Sequence, residues 1–303
     1  MQLVHRTRQA DPVMTSVVVG IDGSPAAIHA AQWAVDEAVS RGSPLRLIYI
    51  LERHSQAVRL ETEYAETALL IASAAVEAIG DPVKIETAII RGHPSAVLAR
   101  QSQDADMLVV GAFGGGYRTR KLIGSTAAAL VRLARCPLAV IRPPHVPPAE
   151  PGVVAVIVQG GQQYDALLGM AMDEARLRKL ALLTLCVRPL DPDDAGSDPF
   201  RQSLGHCRHR YPEIKVDAVA VGASGATFLS ETDRTIRLVI VGGNDGKDRT
   251  RGTLAAGGRS VLFHAHCSVL LVHPDLVVRA RESDARTDPS GDSGRTEGRL
   301  SGR

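Results

Sequence analysis

The chain alternates short apolar runs with longer segments in which small apolar residues recur every three or four positions. Val17 to Ile21 is a continuous apolar run of buried-strand length. Ser24 followed by Pro25 reads as a helix start, a side-chain cap ahead of a first-turn proline. Ala27, Ala30, Ala31, Ala34 and Ala38 follow at helical spacing, and their small side chains let a helix lie close to a sheet; Gly42 ends it. Leu45 to Leu51 predicts a second strand and Glu61 to Ile79 a longer helix stopped by Gly80, Asp81 and Pro82. Val83 to Ile89 predicts a third strand, Pro94 to Gln101 a short helix and Met107 to Val110 a fourth strand. Thr126 to Arg135 predicts a last helix before a strand from Leu138 to Ile141.

The pattern then recurs. From Ser16 and again from Val153 the chain runs through a β-rich stretch, a Gly-containing turn, an Ala-rich helix and a second β-rich stretch. Both helices carry Asp-Glu-Ala followed by basic residues; further on, DMLVVGAFGGG matches RLVIVGGNDGK, and CPLAVIRP matches CSVLLVHP. The offset, 131 to 137 residues, is too long for a solenoid and marks two copies of one domain. The expected organisation is an arm at 1–15, a first domain at 16–142, a Pro-rich spacer at 143–152, a second domain at 153–279 and a disordered tail at 280–303. Strands alternating with helices predict an α/β fold: two tandem doubly wound, Rossmann-like domains, each a five-stranded parallel sheet in the order 3-2-1-4-5. In that order the chain leaves strands 1 and 4 in opposite directions, and a ligand crevice opens at their carboxyl ends.

The most unusual residues fall at that crevice. Gly20, Asp22 and Ser24 follow strand 1; Val110 and Gly111 end strand 4, and Gly114, Gly115 and Gly116 follow. Arg118, Arg120 and Lys121 fit a phosphate-reaching loop and a solvated one equally well. Gly124, Ser125 and Thr126 open the last helix, where free N–H groups and two hydroxyls suit a phosphate. Asp22 suits a ribose hydroxyl or a metal ion. A carboxylate, a glycine turn and a helix N-terminus together describe a nucleotide site, although glycines after a parallel strand also serve simply as tight turns.

Composition narrows the classes. With 45% apolar and 22% charged residues the 303-residue chain is globular, and 3% aromatics leave its core to Ala, Val, Leu and Ile. A net charge of +2 argues against nucleic acid held by an overall field. No apolar run approaches the roughly 18 residues of a membrane span, and the N-terminus lacks the apolar core of an export signal. Four cysteines without C-x-x-C spacing fit a reducing cytoplasm. GHCRH at Gly205 to His209 completes no four-ligand metal set, Gly222 to Gly225 misses the spacing of a hydrolase elbow, and GxxxxGK[ST] is absent.

The spacing Gly111-x2-Gly114-x9-Gly124-Ser125, together with VVVGIDGS, PLRLIYI, RGHPSAVL, ADMLVVGAFG and CPLAVIRP, resembles the ATP-binding branch of the universal stress protein family. The resemblance covers Ser16 to Arg142 well and Val153 to His273 more loosely. It implies that Asp22 meets ribose or Mg2+, that the backbone at Ile50 meets adenine, and that Gly111, Gly114, Gly124, Ser125 and Thr126 hold a triphosphate, with Gly20 and Val110 completing the site. It also implies a homodimer formed through Leu138 to Ile141 or Val269 to Val272. In the second copy Asp22 becomes Gln159, Gly114 becomes Asp245, and Gly124 and Ser125 become Ala255 and Ala256; only Gly111 persists, as Gly242. A carboxylate where phosphate should lie predicts weak ATP binding there or none. The expectation is a cytoplasmic, tandem stress-response protein that binds ATP with Mg2+ and is at most a weak ATPase. Its rivals are an ATP-consuming enzyme and a nucleotide-free interaction protein.

Overall fold

The computed structural model describes residues 15–52, 58–114, 123–143, 152–158, 164–187, 199–221, 225–232, 235–242, 261–262 and 266–272. The first half comprises β1 (Ser16–Ile21), α1 (Pro25–Arg41), β2 (Leu45–Leu51), α2 (Val58–Glu77), β3 (Ile85–Arg91), α3 (Pro94–Gln101), β4 (Ala105–Gly111), α4 (Ser125–Leu133) and β5 (Leu138–Ile141). The second comprises β6 (Val153–Val158), α5 (Tyr164–Leu177), β7 (Ala181–Cys186), α6 (Pro199–Arg210), β8 (Val216–Ala220), α7 (Gly225–Glu231), β9 (Ile236–Gly242) and β10 (Ser268–Val272). The expected tail, and nearly all of the expected arm and Pro-rich spacer, lie outside the described residues. Among those described, no helix is long and apolar enough to cross a membrane.

Local chemistry sets the element ends. Ser24 caps α1, its Oγ accepting from the Ala27 amide at 3.2 Å, a contact worth about 1 kcal/mol. At the other end Gly42 turns left-handed (φ 61°), and its N–H closes the last turn onto Val39. The third strand starts two residues later than expected, since the carbonyl of Lys84 is where pairing with Leu45 begins. The last helix of the first half stops at Leu133 rather than Arg135: Ala134 is extended, and the Arg135 amide donates to Ser102 Oγ at 2.9 Å instead of to a helical carbonyl.

Each half has the order 3-2-1-4-5, with every neighbouring pair inside it parallel. The two do not form separate sheets. They join into one ten-stranded sheet, β3-β2-β1-β4-β5-β10-β9-β6-β7-β8, through an antiparallel pair between β5 and β10. Val140 faces Val269, Ala139 faces Leu270 and Leu138 faces Leu271. Ala139 and Leu270 are equivalent in the sequence repeat, so a local two-fold axis runs through that pair. This corrects the surface expected for self-association: the strands at Leu138–Ile141 and Val269–Val272 satisfy each other within one chain, and every residue of both is buried.

The two-fold keeps equivalent helices on the same side of the sheet. One core layer joins the alanines of α1 and residues of α2 to Leu167, Leu168 and Met172 of α5 and Phe200 of α6. The opposite layer joins Leu98 of α3 and Leu130 of α4 to Val261 and Leu262 of the second half. Both layers are continuous across the β5–β10 junction, while the carboxyl ends of the two sets of parallel strands point to opposite ends of the sheet.

Candidate functional site

All nine residues expected to bind a ligand line a single cavity of about 480 Å3, a volume ordinary for small-molecule sites. Gly20 and Asp22 come from the end of β1, Ile50 from β2, Val110 and Gly111 from β4, Gly114 from the turn beyond it, and Gly124, Ser125 and Thr126 from the start of α4. The cavity lies where β1 and β4 diverge, as the topology requires. Gly115, Gly116, Arg118, Arg120 and Lys121 lie outside the described residues, as do Gln159, Asp245, Ala255 and Ala256 of the second half.

The glycines are not equivalent. A Cβ on Gly111 would stand 2.9 Å from the Ala26 carbonyl carbon and 3.0 Å from the Ala27 nitrogen, so this glycine is needed simply for α1 to start close against β4. That packing reason applies with or without a ligand. A Cβ on Gly114 would instead lie 2.7 Å from Asp22 Oδ2, inside the cavity. Position 114 is therefore held open by its lack of a side chain, and the carboxylate beside it stays accessible. The other Asp22 oxygen accepts from the Ser24 amide at 2.9 Å, which fixes the side chain across the turn between β1 and α1.

The start of α4 is open. Gly124 occupies the cap position in an extended conformation with no side-chain cap, although its own N–H is taken by the Ala112 carbonyl at 2.8 Å. The first-turn amides of a nine-residue helix thus face the cavity alongside the hydroxyls of Ser125 and Thr126, with the positive end of the helix dipole behind them.

Phe113, an isolated aromatic in the GAFG turn where the sequence allows it to line the crevice, does line this cavity, and Tyr49, Glu52 and Glu61, which the sequence does not assign to a site, line it too. Tyr49 packs edge-on against Tyr64 of α2, with ring centroids 6.1 Å apart. Burial pushes its hydroxyl pKa up, with Tyr64, Asp22 and Glu61 adding to the rise, so the phenol stays protonated and able to donate. Helical spacing placed Glu61 on a helix, but only the packing of α2 on β2 turns it toward the cavity. Away from the site, Cys207 is buried in the core while His209, two residues along the same helix, is exposed. Burial pushes the Cys136 and Cys267 thiols up to about 12, leaving them protonated at neutral pH.

Residues 14–142 match the profile of the Universal stress protein family. The chain is 37% identical over 268 residues to Universal stress protein Rv2624c of Mycobacterium tuberculosis, covering 87% of this chain and 98% of that one. It is 39% identical over 235 residues to Universal stress protein Rv3134c of the same organism, covering 74% and 87%. Among solved structures, a universal stress protein from Archaeoglobus fulgidus superposes with a TM-score of 0.66 over 86% of this chain and 99% of that one, at 14% identity, a likeness of fold. With near-complete coverage of relatives of its own tandem length, the chain belongs to the universal stress protein family.

Proposed function

We propose that the first half binds ATP with Mg2+ and that the protein works as a cytoplasmic stress-response regulator through occupancy of this one site. The observation that carries the reading is the meeting of an accessible Asp22 carboxylate, a side-chain-free Gly114 and an uncapped α4 N-terminus in one cavity. Amides and hydroxyls at the start of α4 suit the phosphates. Asp22 Oδ2 suits a ribose hydroxyl or the Mg2+, an ion that takes one or two carboxylates beside phosphate oxygens and keeps several waters. Ile50, on β2, suits the base. The donor set fits the metal as a partner of the nucleotide rather than as a free-standing centre.

Occupancy regulates if ATP favours one arrangement of the chain over another. In the sequence repeat, Asp245 and Gln159 replace Gly114 and Asp22, a pair of replacements that argues for an empty site in the second half. The internal β5–β10 pairing takes the place of the homodimer, so the working unit is the single chain.

The test is native mass spectrometry of purified protein, followed by calorimetric titration with ATP, ADP and AMP after the ligand is stripped. One adenine nucleotide per chain supports the reading, and no binding in either experiment overturns it. Steady release of phosphate well above a Asp22→Asn control would favour an ATP-consuming enzyme instead.

A further inference from the structure

Behind the cavity stands a buried cation that the nucleotide reading does not use. Arg142 directly follows β5, and only 9% of its surface is exposed. Its guanidinium lies over the ring of Phe113, 5.1 Å from the centroid, and Phe113 is a cavity wall between Gly111 and Gly114. Its other contacts reach the second half. The Arg142 amide donates to Ser268 Oγ at 3.1 Å, and Nη2 donates to the Leu262 carbonyl at 3.0 Å. Among the described residues, the buried Nε finds no acceptor.

A buried guanidinium normally faces a carboxylate, because an uncompensated charge in a low-dielectric interior is costly. No carboxylate among the described residues forms an ion pair with Arg142; a ring face and one carbonyl offset its charge. Burial accordingly pulls its pKa down, against the opposing effect of Cys267 beside it. A polyanion lodged at the Gly111–Gly114 turn supplies the missing negative potential, and the interaction is strongest where water is excluded.

We propose that Arg142 is a positioning residue of the cavity, anchored in the second half, through which that half tunes the affinity of the first for phosphate-bearing ligands. The proposal rests on the nucleotide reading above. It gives the second half a role that needs no ligand of its own: holding Arg142 against Phe113. By linkage, phosphate bound in the cavity tightens the contacts of Arg142 with Leu262 and Ser268 to the same degree.

The experiment compares ATP, ADP, AMP and adenosine by calorimetry on the full chain and on Arg142→Gln, Arg142→Lys and Ser268→Ala. Arg142→Gln weakens ATP about tenfold, ADP less, and adenosine not at all. Arg142→Lys, which keeps the charge but not the planar stack, weakens ATP by no more than about threefold, and Ser268→Ala carries the test should the glutamine variant not fold. Ser268→Ala, in the other half, weakens ATP about threefold without touching adenosine. Equal losses for ATP and adenosine would reduce Arg142 to ordinary packing and overturn the proposal. Unchanged ATP affinity in Arg142→Gln or in Ser268→Ala also overturns it. If the parent chain binds none of the four ligands, the nucleotide reading falls and the proposal with it; binding of ATP with a flat response to the variants defeats the proposal alone.

Discussion

Arg178 Nη2 stands 2.5 Å from Glu37 Oε1, an ion pair that joins α5 of the second half to α1 of the first. Glu37 also pairs with Arg41 one turn along its own helix, and Glu174 likewise with Arg178; Arg41 Nη2 completes the ring at 3.8 Å from Glu174. Glu37 and Glu174, and Arg41 and Arg178, are equivalent in the repeat, so the Asp-Glu-Ala motif shared by the two halves is an interface read twice across the two-fold axis. The ring is not quite symmetric. Trp33 lies under Arg178 at 4.5 Å, whereas the position equivalent to Trp33 in the second half is Met170. Glu37 therefore has two close arginines and Glu174 one.

Removing one member of a buried ionic ring leaves the others uncompensated. Arg178→Ala should lower the free energy of unfolding by about 3–5 kcal/mol, since both glutamates are shut away from water. Urea unfolding followed by circular dichroism measures it. A loss below about 1 kcal/mol, the scale of a surface pair, would show that the ring does not hold the halves together.

The same asymmetry predicts a pH dependence. Burial and the neighbouring Glu37 charge push the Glu174 carboxyl up to about 8 from an ordinary value of 4.5, while burial works against Glu37 but Arg41 and Arg178 hold it low. In the folded chain Glu174 keeps a proton that the unfolded chain releases. Its contribution to stability is therefore full below pH 4.5 and is lost as pH rises through about 8. Glu37 has the opposite sign, its contribution present above 4.5 and lost as pH falls through its lowered value. The melting temperature of the parent relative to Glu174→Gln should fall steadily from pH 4.5 to about 8. A difference that stays flat over that window would mean that Glu174 is ionised throughout.

At the cavity, Gly114→Asp copies the second half. A side chain there meets Asp22 Oδ2, so both stability and ATP affinity should fall, affinity by about tenfold or more, some 1.4 kcal/mol. Adding Asp22→Gln relieves the clash of two carboxylates and should restore melting temperature without restoring ATP binding. Recovery of both properties together would show that Asp22 has no part in the ligand.

Gly124→Ser separates folding from binding. A Cβ at 124 meets the Ala112 carbonyl oxygen at an ordinary 3.4 Å, so the side chain fits and its hydroxyl can cap α4. Stability should rise by a few tenths of a kcal/mol. ATP affinity should fall, because the cap claims amides that the phosphates need. Thermal denaturation and calorimetry on one preparation read both signs, and unchanged affinity would remove the α4 N-terminus from the site.

With β5 and β10 paired inside the chain, static light scattering should give the mass of one chain, 32.2 kDa. A mass of twice that value across a dilution series would require a dimer surface other than these two strands.

Much of this was legible in one dimension because the physics is local. Strand length, the alanine face of α1, the Ser24 cap and the Gly42 stop are set by residues close in sequence, and alternation of strands with helices forces parallel crossovers and a crevice at β1 and β4. The spaced glycines, with Asp22, marked that crevice, and the cavity contains all of them. Boundaries slipped where a distant partner decided them, as Ser102 does for the end of α4.

What the sequence could not assign is what depends on contacts between segments far apart. It displayed Asp-Glu-Ala twice without saying that the copies meet across a two-fold axis, and it displayed two last strands without saying that they pair with each other. Gly111 and Gly114 looked alike in the motif, yet packing on Ala26 fixes one and access to Asp22 the other. Tyr49 and Arg142 sit inside matched motifs and Glu61 inside a helix, but none of that says what they face; the fold of α2 on β2 and the seam at β5 and β10 bring them to the site. Periodicity encodes which face of an element is buried, and only the tertiary structure decides what it is buried against.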